Sequence, residues 1–442
     1  MQISEVKNIL QKNGVVGAGG AGFPSYAKLS EKAEIIILNC AECEPLFKLH
    51  RQLLEIYAEE IVSMLDILTE TLEAKEFIVA VKGSYKGAVS AVNEVLKDYP
   101  KGKIKLLKEM YPAGDEVVTI YESTGRVVPP GSIPIEVGCI VYNVETVLNM
   151  YNALFKKKAV THKYVTVAGE VNNPSTFCVP IGTKFSHLIE MSGGLKMDDV
   201  EIISGGPMTG NISSMSDCVT KTTNGILVMP PNHYIVMKRK QKAKISVQRA
   251  MSTCCQCKSC TELCSRHLLG HPINPAEFMK CVANQKTETK AVLNTFYCSQ
   301  CGLCELYSCP QGLSPKTLIG LCKNELRQNG LRPEILQLTE GVHSEREYRL
   351  VPMKRLIERL DLSKYNTSAK ISDAKVSPDT VKISLSQHIG KPAVSSVKVG
   401  DKVKMGDVIA ECDDKSLSVA YHSSIDGSVM KVTDKYVMIS AI

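Results

Sequence analysis

The chain has 442 residues, 44% of them hydrophobic, with seventeen cysteines, no tryptophan and a net charge of +7. The length allows about three domains with ample core. No charged-then-apolar leader opens the chain and no apolar run approaches bilayer length, so a soluble protein of a reducing interior is expected, where free thiols and metal ligation are normal. Nucleic acid is not an expected partner: Lys156 to Lys158 and the run Lys238 to Lys244 carry no nucleic-acid motif or interleaved aromatics and read as solvated linkers.

Residues 1–13 place Ile3, Val6, Ile9 and Leu10 on one side of a predicted short helix. GVVGAGGAGFPSYAKL follows. Gly17, Gly19 and Gly22 satisfy G-x-G-x-x-G literally, but a dinucleotide fingerprint needs a strand just before the glycines, and here a helix precedes them. A Rossmann dehydrogenase is therefore disfavoured. The glycines still allow positive φ and close backbone approach, and successive N–H groups make a nest for phosphate.

Next come a predicted strand EIIILN, a long helix from about Pro45 to Glu73, the strand KEFIVAVK and a helix from Ser84 to Leu96. The strand KIKLLKE, a helix after YPAGDE, and a strand then helix in EVGCIVYNVETVLNMY complete the series. This alternation predicts an α/β domain with a mainly parallel sheet over 1–160. Ligands in such sheets gather beyond the carboxyl ends of strands. Asn39, Glu42 and Glu44 sit at one such end, Asn143 and Thr146 at another, and Gly114, Asp115 and Glu116 at a third. Each alone reads equally as a cap or turn residue; their shared position predicts one site.

Over 161–237, YVTVAGEV, a Pro174 turn and FCVPIGTKFSHLIEMSGG predict a strand, a hairpin and a helix. EIISGGPMTG adds a strand and a turn, in which Gly205, Gly206 and Gly210 read as structural.

Two cysteine runs follow. Cys254, Cys257, Cys260 and Cys264 are spaced C-x2-C-x2-C-x3-C; Cys298, Cys301, Cys304 and Cys309 are spaced C-x2-C-x2-C-x4-C, with Pro310 next. This resembles the bacterial two-cluster ferredoxin run, whose fourth cysteine ligates the other cluster. The resemblance implies two [4Fe-4S] clusters, one on Cys254, Cys257, Cys260 and Cys309, the other on Cys298, Cys301, Cys304 and Cys264. Ser265 departs from it, where a proline usually follows. A pair of zinc sites stays open, although zinc needs only two C-x2-C pairs and gives no reason for a third evenly spaced cysteine. Cys255 adjoins Cys254 as an alternative ligand. PAEFMKCVAN, SPKTLIGLCKNELRQNG and REYRLVPMKRLIERL predict a helical unit over 245–365. Over 376–442, VKVGDKVKMGDVIAE and HSSIDGSVMKV resemble the barrel-sandwich fold, and Lys415 reads as a solvated hairpin lysine.

GAGGAGFPSYAKL, NCAECEP, YPAGDEVV and NVET, in that order, resemble the NADH-binding flavoprotein subunit of respiratory complex I. The resemblance implies that Gly17, Gly19, Gly20, Gly22 and Lys28 approach the phosphate of FMN. Asn39, Glu42, Glu44, Asn143 and Thr146 would line its isoalloxazine and ribityl region, with Gly114, Asp115 and Glu116 in the same cofactor-binding set. Ala18 stands where that family has an arginine. Residues 161–237 resemble the β-grasp (SLBB-like) domain that follows in the same flavoproteins.

The whole order resembles the cobalamin reductases of propanediol-utilisation microcompartments. It also resembles the Rnf-complex C subunit, whose barrel-sandwich lies at the N-terminus. The resemblance implies a multidomain α/β chain: an α/β flavin domain, a β-grasp domain, a helical dicluster ferredoxin-like domain and an all-β barrel-sandwich. It implies an NADH-dependent oxidoreductase with FMN and two [4Fe-4S] clusters and no catalytic acid or base. FMN belongs between a hydride donor and one-electron clusters. Expected partners are NADH and a corrinoid or corrinoid adenosyltransferase, in the cytoplasm or a bacterial microcompartment. The alternative is an Rnf-type or proline-reductase-associated subunit that reduces another redox protein and has no small-molecule substrate of its own.

Overall fold

A computed structural model describes residues 1–287, 290–338, 341–413 and 415–442. Its first sheet has four parallel strands, in the order Gly102–Leu107, Glu76–Lys82, Ile35–Cys40 and Cys139–Asn143. The two central strands are nearly continuous apolar runs, as a sheet covered on both faces requires. Along Ile35–Cys40 the pleat sends alternate side chains to opposite cores. Ile36 and Leu38 pack with Leu53, Ile61 and Val147, whereas Ile35 and Ile37 pack with Val117, Val118 and Ile120.

The helix predicted from Pro45 to Glu73 is two helices, Leu49–Ile56 and Ala58–Thr71. The first starts late because the Glu42 carboxylate accepts the N–H groups of Leu49 (2.9 Å) and His50 (3.2 Å), which caps the helix there. The second begins after Tyr57, whose φ of −118° is not helical and whose hydroxyl lies 3.4 Å from that of Tyr164 in the next unit.

The segment after the cysteines also differs from expectation. Val351–Pro352 is a short strand antiparallel to Met110–Tyr111, and only then does a helix run over Met353–Arg359. Pro352 disfavours the α conformation at Val351, which breaks the predicted helix, and the strand pairing returns the chain to the first unit.

The second unit is a five-stranded mixed sheet, ordered Ser175–Pro180, His162–Gly169, Gly225–Met229, Glu201–Ser204 and Asn211–Ser213. The helix Phe185–Met191 covers it. Lys163 and Glu145, both buried, pair across the boundary with the first unit. The cysteine unit consists of short helices around a core of Ala250, Phe278, Met279, Leu313, Leu318 and Ile319. A four-stranded and a three-stranded sheet enclose Val381, Ile409, Tyr421 and Ile439 at the C-terminal end. A separate apolar cluster joins the units: Phe47, Met208, Leu303, Leu306, Leu356 and Leu360 meet in it. Among the described residues no helix is long and apolar enough to cross a membrane.

Candidate flavin and iron–sulfur sites

A cavity of ≈ 760 Å³ opens at the carboxyl ends of Ile35–Cys40 and Cys139–Asn143, within the size range of cofactor sites. Of the sequence-predicted residues it brings together Gly17, Gly19, Gly20, Gly22, Lys28, Asn39, Gly114, Glu116, Asn143 and Thr146. The glycine loop is closed by Gly17 N–H donating to Phe23 O (2.9 Å) and is anchored by Ala18 N–H donating to Thr146 Oγ1 (2.9 Å). Gly19 to Ala21 are exposed, so their backbone faces a ligand. A Cβ on Gly19 would stand 2.3 Å from Asn143 Nδ2, and Gly22 has φ +75°; both positions need glycine. Asn143 Oδ1 caps the following helix at Glu145 N–H (3.0 Å), and its Nδ2 lies 3.0 Å from His50 Nε2. Burial lowers the His50 pKa, which keeps that ring a neutral acceptor. Lys28 Nζ reaches Glu116 Oε1 (2.8 Å) and Val141 O (2.9 Å). Asn39 Nδ2 donates to Gly114 O (2.9 Å).

Glu42, Glu44 and Asp115 do not line this cavity. Glu42 caps the helix Leu49–Ile56 as described above, and both it and Glu44 border a neighbouring cleft. Glu44 accepts the N–H groups of Met208 (2.8 Å) and Thr209 (2.9 Å), so it holds the glycine turn of the second unit. Gly206 and Gly210 are structural there: a Cβ on Gly206 would meet Glu44 at 2.2 Å. Asp115 caps Glu116–Thr124 through Val117 N–H (3.1 Å) and pairs with Arg266 at 2.9 Å.

The chemistry of the cavity fits FMN. It offers exposed glycine backbone, one ammonium and an apolar wall. The buried Ser25 Oγ at its lining has no hydrogen-bond partner among the described residues. Phe23, Ser25, Ile133 and Ile389 are lining residues the sequence reading missed. Phe23 and Ser25 could have been taken from the glycine motif itself. Ile389 could not: it comes from the C-terminal unit, where Ile389 N–H donates to Gly22 O at 3.3 Å.

The cysteines form two groups. Cys254, Cys255, Cys257, Cys260 and Cys309 line one small pocket. Burial pushes the Cys260 thiol up to about 12, with Cys309, Cys257 and Cys254 adding to it. Cys257 is exposed, and a hydrogen bond with Ser259 lowers its pKa. In the other group Cys264 is pushed up to about 12 by burial, then by Cys301 and Cys298. Cys304 is raised well above the ordinary thiol value by burial, then by Cys298, Cys301 and Cys264. Thiols raised in this way ionise only against a cationic centre. Among the described residues no three His, Cys, Asp or Glu side chains converge closely enough for a single metal ion. Both loops turn the same way: Gln256 and Lys258 have positive φ after Cys254, as Gln300 and Gly302 have after Cys298. N–H groups point back at sulfur, from Gln300 to Cys298 (3.3 Å) and from Leu313 to Cys309 (3.3 Å).

The segment Tyr111 to Glu116 connects the two sites. Gly114 and Glu116 line the flavin cavity, while the Tyr111 hydroxyl donates to the carbonyl of Cys301 and Asp115 pairs with Arg266, two residues past Cys264. The Cys298 loop also abuts the glycine turn of the second unit, where Met208 O lies 3.0 Å from a Cβ built on Gly302.

Comparison with known proteins follows this layout. Residues 10–152 match the Nuo51 FMN-binding domain, 164–211 the SLBB domain, 253–314 the 4Fe-4S dicluster domain and 359–441 the RnfC barrel sandwich hybrid domain. A NAD+-reducing [NiFe]-hydrogenase chain in the H2-reduced state shares the fold, with a TM-score of 0.50, 17% identity, and coverage of 74% of this chain and 62% of that one. The C subunit of the Na(+)-translocating ferredoxin:NAD(+) oxidoreductase complex of Acetobacterium woodii is 31% identical over 284 residues, 63% of this chain and 61% of the relative. Cobalamin reductase PduS of Salmonella typhimurium is 38% identical over 441 residues, 99% of this chain and 97% of the relative. The Citrobacter freundii protein of the same name is 38% identical over 98% of this chain and 96% of its own length. The chain is thus an electron-transferring oxidoreductase that uses FMN and iron–sulfur clusters, and it belongs to the cobalamin reductase PduS family.

Proposed function

We propose that the chain carries electrons from NADH through FMN and two [4Fe-4S] clusters to a corrinoid, in the cytoplasm or a bacterial microcompartment. FMN, when bound, accepts the electron pair of a hydride and releases its electrons singly. The ten cavity residues named above hold and orient it. The glycine backbone and Lys28 take the phosphate, and Asn39, Asn143 and Thr146 fix the loops around the ring and ribityl chain. Glu42, Glu44 and Asp115 act one layer out, by holding the helix and turns that shape the cavity. Cys264, Cys298, Cys301 and Cys304 are the proposed ligands of the inner cluster, and Cys254, Cys257, Cys260 and Cys309 of the outer one. The matched turns of the two loops favour Cys254 over Cys255, because Cys255 then corresponds to Ser299. NADH is the proposed hydride donor to this cavity. No side chain is needed as a general acid or base.

The observation that carries this reading is the shared segment Tyr111 to Glu116, which touches the flavin cavity at one end and the Cys298 loop at the other. The test is anaerobic mixing of the purified chain with NADH and cob(II)alamin. Bleaching of flavin and cluster absorption followed by loss of the cobalt(II) EPR signal is the expected result. Bleaching with an unchanged cobalt signal would favour a carrier that reduces a protein partner, the reading to which the Acetobacterium woodii relative points. No bleaching by NADH would overturn both.

A further inference from the structure

We propose that the exposed face leading into the Cys254 loop is the docking surface for an acidic redox protein. The inference goes beyond the corrinoid reading and rests on the electron-transfer reading: it gives the outer cysteine loop a second acceptor, a protein. From Lys238 to Cys260 the chain has seven cations (Lys238, Arg239, Lys240, Lys242, Lys244, Arg249, Lys258) and no carboxylate. In sequence alone this is a solvated linker. The structure divides it in two.

The first half is used internally. Lys238 Nζ donates to Leu313 O (3.1 Å) and Ser314 Oγ (3.2 Å), Arg239 to Gly210 O (2.7 Å) and Pro207 O (2.6 Å), and Lys240 pairs with Glu201. These contacts fasten the cysteine unit to the second unit. The second half faces outward. Lys242, Lys244 and Lys258 are exposed and, among the described residues, have no ion-pair partner. Lys244, Gln248 and Met251 are all exposed, and their spacing of four and three residues puts them in one stripe of the helix Ala243–Thr253, which leads into the exposed Cys255. The helix rise brings Lys244 within about 15 Å of Cys254. Met251, 44% exposed, supplies apolar contact on this face.

The inner group of cysteines is less open: Cys304 is buried, Cys264, Cys298 and Cys301 are half-buried, and among the described residues Cys298 alone of the four borders a surface cleft. Tyr111 and Asp115 of the flavin unit cover it from one side and Met208 from another. The outer loop, with Cys255 and Cys257 exposed, is therefore the exit. Unpaired ammonium groups around an exit steer an oppositely charged partner and raise its encounter rate. One electron passes to the partner's centre per encounter, so two encounters discharge the pair that one NADH delivers.

The test measures binding, not turnover. Flavodoxin, as an acidic probe, and cytochrome c, as a basic one, are titrated against the immobilised full chain at low and high salt. Wild type should bind flavodoxin more tightly than cytochrome c, and salt should weaken that binding. Lys242→Glu/Lys244→Glu should weaken flavodoxin binding by about ten-fold at low salt and strengthen cytochrome c binding. Iron, sulfide and FMN contents should match wild type. Equal binding of flavodoxin by the variant, or binding that does not respond to salt, would overturn the proposal, as would a surface that binds a DNA oligonucleotide but not flavodoxin. Bleaching by NADH, recorded on the same samples, reports separately on the upstream reading.

Discussion

Thirty-three buried residues on one face of the parallel sheet form the larger core behind the flavin cavity, and a second core covers the other face. Six buried residues form the core of the cysteine unit. The flavin cavity is drawn by backbone: glycine turns, strand ends, and caps such as Asn143 and Asp115, all fixed by a sheet that does not need the cofactor. The cysteine pockets are drawn by side chains whose thiols burial and mutual proximity drive away from ionisation. A unit with so little core of its own is expected to depend on its metal for folding. The two cofactors thus stand in different relations to the fold: one fills a site and the other completes a structure.

Stripping iron and sulfide anaerobically should break this contrast open most widely if it is wrong. Hydrogen exchange should then show protection lost across residues 243–328, by the full local stability of that unit, and unchanged across 35–155. Gly19→Val strikes the other side. Its side chain would push into Asn143, so FMN affinity should fall by at least about ten-fold while iron content stays at the wild-type level; loss of both would mean the two units fold as one. A smaller effect is expected from Ile389→Gly, which removes the C-terminal unit's side chain from the cavity wall. FMN should bind a few-fold more weakly, with no change in iron, as read by fluorescence titration.

The smallest effect concerns pH and the C-terminal unit. Burial first, and the Lys221 charge second, lower His388 to about 4 and His422 to about 3. Below the ordinary imidazole pKa of about 6.5 the unfolded chain takes up protons that the folded chain refuses. Stability from these rings is therefore complete above about pH 6.5 and declines as pH falls toward 4. His388→Gln/His422→Gln should flatten that decline, raising the relative melting temperature at pH 5 by a few degrees at most. A variant that parallels wild type across the range would remove these rings from the account.

Legibility in the sequence follows the range of the interactions. The cysteine runs can be read because each loop is local in the chain, and so is the turn of the glycine loop. The split of the helix at Tyr57 cannot, since it coincides with contact to Tyr164. The return strand Val351–Pro352 is hidden because its partner lies some 240 residues earlier, although Pro352 is a signal against a helix there. Glu44 reads as a flavin contact because it follows a strand; its partners Met208 and Thr209 are 164 and 165 residues away. The basic run reads as a linker because nothing local tells that half of it is spent on internal contacts and half lies beside the outer cysteines.

The order of the two clusters is the central claim, and Cys309→Ala tests it most directly. Cys309 closes the second run in sequence but shares the pocket of the first. The account predicts that the variant loses the outer cluster and about half its iron, that NADH still reduces the remaining cluster as seen by EPR, and that cob(II)alamin is no longer reduced. Loss of the cluster on Cys298, Cys301 and Cys304 instead, or cobalt reduction at the wild-type rate, would contradict it.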